Sequence, residues 1–412
     1  MVNGSYWQIE HGCPQCGAPV TLEETDRLLV CPFCRTRLYL VAEDHFRYHI
    51  PPPTAGVDGE LLYIPYWRLR GSLFSVNASE VTRRFVDATT LAVNFQGLPF
   101  SLGLRPQVLK LRFISPDTQG RFITPDLPFD RAIPGLGAAP KGVFYQNFIG
   151  ETVSLLHTPL LLRGETLYDA VLGRPISTCT AGDSERLQRS SLSTRRQVRF
   201  IPTLCPHCGW DMEGEKDSLV LICRNCNTAW TCPENAFRQV PFAVMTPPAG
   251  TGEIAGYIPF WRMRPRIEGM ALASYADLIR VANLPKATVP AFETAPLYFW
   301  SPAFKVNPVL YSRWAQQMTI LRPTGDADDR LPETALYPVT LPLAEAVEGI
   351  IIILAQMSAD KRKLYPKLAG LRVTLEESRL EYHPFVINHN ELIHASLGIA
   401  LDRTSLNYGA RM

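Results

Sequence analysis

The chain has no apolar run long enough to cross a membrane as a helix. Its longest, around Gly349-Ile-Ile-Ile-Ile-Leu-Ala355, is bounded by Glu348 and by Asp360 and Lys361. That is far short of the roughly 20 residues a span requires, so a buried core element is expected there. Charge of one sign is also missing: 41 Lys and Arg face 39 Asp and Glu, a formal balance of +2. No global field therefore draws the protein toward nucleic acid or an acidic membrane. Neither a glycine-rich phosphate loop nor a nucleophile elbow occurs. No basic, apolar and small-residue leader precedes the first cysteine pair, which makes a cytoplasmic, reducing compartment the expectation. Unpaired cysteines are scarce too, since only Cys179 and Cys232 of the ten fall outside C-x-x-C units. That usage favours metal over a disulfide framework.

What is present begins with those units. Cys13-Pro-Gln-Cys16 is followed, after fourteen residues, by Cys31-Pro-Phe-Cys34. The pattern returns 192 residues later as Cys205-Pro-His-Cys208 and Cys223-Arg-Asn-Cys226, with the same spacer. A two-residue gap lets both sulfurs of a turn face one metal, and two such turns close a tetrahedral shell. Gly17 and Gly209, directly after the second cysteine, suit a backbone needing positive φ. The spacer is long enough for a hairpin, whose return strand is expected at Leu28-Leu29-Val30 and at Leu219-Val220-Leu221-Ile222. This layout resembles that of zinc ribbons over residues 11–40 and 203–232. The resemblance implies one structural Zn2+ per ribbon, two per chain, held by Cys13, Cys16, Cys31 and Cys34 and by Cys205, Cys208, Cys223 and Cys226. Rubredoxin-like iron sites use similar turns with a longer spacer, and metal-free thiol chemistry is the other alternative. Four cysteines fill the shell, which points to a staple rather than a catalytic centre.

A second repeat follows each cysteine segment. Tyr63-Ile-Pro-Tyr-Trp-Arg-Leu-Arg70 is matched by Tyr257-Ile-Pro-Phe-Trp-Arg-Met-Arg264. In a strand, Tyr63, Pro65, Trp67 and Leu69 share one face, expected to be core, and Ile64, Tyr66, Arg68 and Arg70 the other. Pro65 and Pro259 cannot donate a ladder hydrogen bond and point to a strand start or an edge. The arginines could stack on Tyr66 or Phe260 or pair with carboxylates. A partner groove formed by Tyr66, Arg68, Arg70, Phe260, Arg262 and Arg264 is the functional alternative to plain packing. Further on, Leu156-His157-Thr158-Pro159 and Glu165–Gly173 correspond to Tyr382-His383-Pro384 and Asn390–Gly398, and Ser115-Pro116 is echoed by Ser301-Pro302.

The expected fold class is α+β: an internally duplicated chain, each half a ribbon plus a mainly antiparallel sheet with a few helices. The expected domains are ribbon 11–40, α+β body 55–178, linker 179–200, ribbon 203–232 and α+β body 250–412. Thr180–Arg199, with five Arg against Asp183 and Glu185, has the composition of a solvated connector. Pro134–Gly142 has that of a surface loop. Alternation predicts strands over Leu61–Val76, Arg83–Val86, Val108–Ile114 and Leu371–Leu375. Apolar spacing predicts helices over Glu165–Leu172, Leu343–Met357 and Glu391–Leu401.

His157 and His383 occupy matched places, with His389, Glu391 and His394 after the latter, in a spacing that fits no metalloprotease motif. The order of ribbon then Tyr-x-Pro-aromatic-Trp resembles a set of uncharacterised bacterial zinc-ribbon proteins, over most of each half. That resemblance implies no activity and no catalytic residue. Charge decides among partners. Residues 11–40 balance three Arg against Glu23, Glu24 and Asp26, while 203–232 carry Lys216 and Arg224 against Asp211, Glu213, Glu215 and Asp217. Phosphate neutralisation dominates nonspecific nucleic-acid affinity, so neutral and acidic ribbons favour a protein partner. The reading is a non-enzymatic interaction or assembly protein with two structural zinc ribbons. A nucleic-acid-binding protein is the alternative, and an enzyme with its site in the α+β body the third.

Overall fold

The computed structural model describes residues 7–52, 59–103, 110–129, 142–180, 182, 187 and 198–409, apart from the side chains of Glu151 and residues 407–409. Nearly all of Pro134–Gly142 and most of the Thr180–Arg199 connector lie outside the described residues. The architecture is α+β. It divides into two compact units. The first is Met1–Arg70, Asp87–Ala138 and Thr152–Thr203; the second is Gly71–Val86, Ala139–Glu151 and Leu204–Met412.

The larger sheet runs Pro175–Thr178, Thr166–Asp169, Val143–Arg163, Phe46–His49, Lys110–Phe113, Gln8–Gly12, Pro19–Glu23, and the long strand Glu60–Asn77 also pairs with Val143–Arg163; most of these residues belong to the first unit. Most pairs are antiparallel; Gln8–Gly12 with Lys110–Phe113, Phe46–His49 with Val143–Arg163, and Glu60–Asn77 with Arg121–Phe122 are parallel. A small sheet joins Leu28–Val30 to Arg37–Val41, and its third strand is Arg199–Pro202, in register from Val41 with Arg199 to Leu38 with Pro202. The segment leading to the second cysteine group thus completes the sheet of the first.

In the second unit the sheet order is Phe299–Pro302, Ile254–Glu268, Arg372–Asn388, Phe242–Met245, Ala327–Asp328. Ile254–Glu268 pairs antiparallel with Arg372–Asn388 along almost its whole length. Helices cover this sheet. Ser274 and Asp277 form a reciprocal capping box that starts Tyr275–Ala282, and Asn283 ends it in the left-handed region. Asn307 caps Pro308–Leu321, with Pro308 in the first turn where its missing N–H costs nothing. The apolar run is the helix Leu343–Met357, with Ile350, Ile352, Ile353 and Leu354 fully buried. Neither capped helix was read from apolar spacing; the Ser-x-x-Asp and Asn-Pro signals were there to be used.

One hydrogen-bonded node recurs in both units. In the first, Ala92 N–H donates to Pro65 O at 3.0 Å, Asp126 and Leu127 N–H donate to Ala92 O at 3.1 Å, and Trp67 Nε1–H donates to Leu127 O at 2.8 Å. In the second, Ala303 N–H donates to Pro259 O at 3.1 Å, Thr340 and Leu341 N–H donate to Ala303 O at 3.0 Å, and Trp261 Nε1–H donates to Leu341 O at 2.9 Å. The indole is buried and its only polar atom is satisfied, as burial requires. Pro259 sits inside its strand rather than at a start. Its carbonyl faces the end of the short ladder with Phe299–Pro302, so on that side it behaves as an edge.

Three expectations are corrected. Glu165–Leu172 is not a helix but the strand Thr166–Asp169 and the turn after it, and Glu391–Leu401 is the hairpin Glu391–His394 with Ala400–Asp402. Each antiparallel partner supplies a ladder that a two-turn isolated helix lacks. The two turns are nonetheless alike: Asp169 Oδ1 accepts from Val171 and Leu172 N–H, and His394 Nδ1 accepts from Ser396 and Leu397 N–H. Finally, the Ser-Pro echo is not a structural match. Ser301-Pro302 lies in a strand, whereas Ser115-Pro116 lies in a turn closed by Thr118.

Gly349 lies inside the buried helix where a Cβ would collide with the Tyr311 hydroxyl. In an exposed helix, Gly to Ala gains up to about 1 kcal/mol. Here the overpacking cost of about 1–3 kcal/mol wins. Gly349→Ala should therefore lower the urea midpoint, and an unchanged or raised midpoint would show that Tyr311 can move aside.

Candidate metal centres

Each cysteine group is built from two turns at the ends of short strands. Cys13 follows the strand Gln8–Gly12 and Cys31 follows Leu28–Val30; the expected return strands are observed at Leu28–Val30 and Val220–Cys223. Within each turn the residue after the second cysteine is left-handed: Gly17 and Gly209 at φ 74°, Arg35 at 61° and Asn227 at 52°. This closes a tight loop in which Gly17, Arg35 and Gly209 N–H donate to the carbonyls of Cys13, Cys31 and Cys205 at 2.8–2.9 Å. Glycine carries that backbone in the first turn of each group, while Arg35 and Asn227 do so in the second.

All ten cysteines are free thiols. The four Sγ atoms of each group lie within 4.8 Å of one another. Measured edges are 3.7 Å for Cys13 to Cys34 and for Cys16 to Cys31, 3.6 Å for Cys205 to Cys226 and 3.5 Å for Cys208 to Cys223. A tetrahedron with metal–sulfur bonds of about 2.3 Å has edges of about 3.8 Å, so both groups can hold one tetrahedral metal. Backbone N–H groups of Cys34 and Phe33 point at Cys31 Sγ and bring its pKa down to about 6. Asn225 and the Trp210 N–H do the same for Cys208, also to about 6. Thiolate is the form a metal needs. In the second group Thr228 Oγ1 accepts from Trp230 Nε1–H at 2.8 Å and lies 3.1 Å from Cys226 Sγ, to which its hydroxyl donates once that sulfur is a thiolate.

The arginine motif lies elsewhere than in an open groove. Tyr66, Arg68, Arg70 and Phe260 are buried. Arg68 makes two bonds to Glu24, Nη2 to Oε1 at 3.1 Å and Nε to Oε2 at 3.3 Å, and also pairs with Asp87; Arg70 Nη1 is 3.3 Å from the same Glu24 oxygen. Trp7 stacks on the Arg68 guanidinium at 4.4 Å. Glu24 is only 1% exposed and belongs to the first cysteine segment, so this cluster fastens that ribbon to the long strand. The residue 192 positions on is Lys216, and the second unit solves the problem differently. Arg262 lies over Tyr298 at 3.7 Å and 3.7 Å from Glu381, while Arg264 pairs with Glu376 at 3.3 Å near the surface.

The histidines form a buried chain in the second unit. His394 Nδ1 accepts from two backbone amides, so its Nε2–H donates to His383 Nδ1 at 3.0 Å, and His383 Nε2–H donates to Glu381 Oε2 at 3.3 Å. Burial alone would raise the Glu381 pKa, but His383, Arg379 and Trp300 hold it at about 2. His389 and Glu391 are exposed and stand apart from this chain. Among the described residues, only the two cysteine quartets form a metal-sized group of three or more His, Cys, Asp or Glu. In the first unit a broad groove is lined by Glu10, His49, Glu60, Lys110, Arg112 and Arg121. Five of its charges pair off, Glu10 with Lys110 at 2.6 Å and Arg112 at 3.8 Å, and Glu60 with Arg121 at 2.7 Å.

The fold and sites thus define an α+β protein with two similar four-cysteine groups. Comparison with protein-family models, with curated proteins and with solved structures gave no match.

Removing Arg68 would take two bonds from the buried Glu24 and leave it the Arg70 contact at 3.3 Å, so Arg68→Ala should cost about 3 kcal/mol in urea unfolding. Arg262→Ala should cost less, because Glu381 keeps Arg379, Trp300 and His383; equal losses would contradict this assignment. Burial also pushes His157 and His394 down to about 3 and His49 to about 4. Unfolded histidine titrates near 6.5, so between these values the unfolded chain binds more protons and stability falls as pH drops. Each contributes up to about 1.4 kcal/mol per pH unit. The urea midpoint should fall from about pH 7 to about pH 5.5, and His157→Gln, which keeps a donor for Tyr48 O, should flatten the slope by about one proton. A flat wild-type profile would refute the assignment.

Proposed function

We propose that the protein is a non-enzymatic interaction or assembly protein in which each cysteine quartet holds one structural Zn2+. The observation that carries this reading is the convergence of four thiols with edges of 3.5–3.7 Å in both groups. Zinc suits a closed thiolate shell, and four sulfurs leave no position for substrate or water, so the metal acts as a staple. Each return strand lies in a sheet of only three strands, one of them Arg199–Pro202 from outside the first ribbon, too small a core to fold on hydrophobic burial alone.

The recurring node around Trp67 and Trp261 supports reading the chain as two copies of one plan, in keeping with the resemblance to bacterial zinc-ribbon proteins. Function then lies on the surfaces that the metal holds in shape. Protein is the favoured partner class, since the second ribbon carries four acidic residues against two basic ones.

Elemental analysis of protein purified under reducing conditions should find two zinc per chain. Chelation should then expose both ribbons to protease before the α+β bodies, and partner proteins captured from lysate by the zinc-loaded chain should be released with the metal. Iron in place of zinc, no metal, or capture indifferent to chelation would overturn the proposal.

A further inference from the structure

The two ribbons expose opposite surfaces. In the first, Phe33 on the second cysteine turn is 66% exposed and Val30 beside it is 48% exposed. Val30 is in cross-strand register with Arg37, which puts both side chains on one face, and Arg35 follows the same turn; both arginines are exposed. In the second ribbon, Trp210 follows the first cysteine turn and is 63% exposed, and Leu204 is 51% exposed. Leu204 is bridged to Asp211, again an aliphatic and a charged residue on one face. Asp211, Glu213 and Glu215 are exposed there, with Glu213 sharing its charge with Arg224 at 3.0 Å.

The patches are not copies of each other. At the 192-residue offset, Phe33 corresponds to Asn225, Val30 to Ile222 and Arg37 to Ala229, while Trp210 corresponds to Ala18, Leu204 to Gly12 and Asp211 to Pro19. The aromatic and the charge of each patch therefore have no counterpart in the other ribbon, and Ile222, the aliphatic that matches Val30, is buried. Burial sharpens the contrast. In the first ribbon Glu24 and Asp26 are turned inward, so its apparently neutral sequence shows Arg35 and Arg37 outside against Glu23. The backbone that carries each aromatic is tied into its cysteine turn. Trp210 N–H donates to Cys208 Sγ and its carbonyl accepts from Cys205 N–H at 2.8 Å, while Phe33 N–H donates to Cys31 Sγ.

We infer that the acidic Leu204–Trp210–Asp211 patch of one chain docks on the basic Val30–Phe33–Arg37 patch of a second copy of this chain. The inference rests on the reading of the ribbons as metal-stapled interaction modules. Guanidinium against indole and carboxylate is a favoured pairing, and an aromatic anchor with apolar neighbours gives such a contact its core. Nucleic acid would satisfy the arginine patch and be repelled by the acidic one; a second copy satisfies both. The contact is heterologous, so two chains close into a dimer if both contacts form between them, and otherwise extend into longer assemblies.

The test is sedimentation velocity of the full chain over about a hundredfold range of concentration, with zinc content measured on each sample. The wild type should self-associate. Trp210→Ala should weaken association about tenfold or more. Asp211→Arg and Arg37→Asp should each abolish it, and an equimolar mixture of those two variants, or both substitutions in one chain, should restore it. A zinc-loaded wild type that stays monomeric, variants that associate like wild type, or a charge-reversed mixture that stays monomeric would overturn the inference and leave the structural-zinc reading intact. A metal-free wild type would instead remove the reading beneath it. Salt-sensitive binding of a single-stranded oligonucleotide, lost in Arg37→Asp while the wild type remains monomeric, would replace the second copy with nucleic acid.

Discussion

The structure turns on one constraint: a long strand buried on both faces must satisfy every polar group it carries. The segment from Tyr63 to Arg70 is buried throughout, and its arginines meet that requirement with charged partners. Ion pairs in such surroundings repay their desolvation only when geometry is good and remaining donors are bonded. Arg68 meets this with two bonds to Glu24, a pairing to Asp87 and the Trp7 ring. Because Glu24 comes from the ribbon, satisfying the strand also positions the metal group on the α+β body.

The second unit answers the same constraint with other side chains. Lys216 stands where a ribbon carboxylate would be needed, and the acid comes from Glu381 in the neighbouring long strand. Glu381 is in turn held by Trp300, Arg379 and the two-histidine chain, whose direction is fixed by the amides that donate to His394. His394 does for its turn what Asp169 does in the first unit. A change from carboxylate to imidazole thus leaves the hairpin intact while creating a proton-ordered chain beneath it.

Local signals were legible where the physics is local. Cysteine spacing fixed both thiol groups, because two turns and a hairpin suffice to bring four sulfurs together. Alternation gave the long strands, and the isoleucine run gave the central helix. The helices expected over Glu165–Leu172 and Glu391–Leu401 are strands and turns instead, because over so few residues apolar spacing does not separate a helix from a strand and a turn. Positive φ at Gly164 and Gly173 was the overlooked signal. Packing and a partner groove both stayed open for the arginine motif for a related reason: alternation assigns a side chain to a face without saying whether another layer covers that face, and burial of Tyr66, Arg68, Arg70 and Phe260 favours packing there.

The sequence by itself determined the paired cysteine groups, the α+β class and the repeated strand, since each depends on residues close together or on a period. Tertiary structure decided which charges are seen from outside. Glu24 and Asp26 count toward a neutral ribbon until burial removes them, and Phe33, Trp210 and Leu204 are ordinary apolar residues until they are left uncovered. It also decided that Arg199–Pro202, just ahead of the second cysteine group, completes the sheet of the first. Strand pairing across such a separation is set by the energetics of the whole fold, and nothing in the local pattern of residues encodes it.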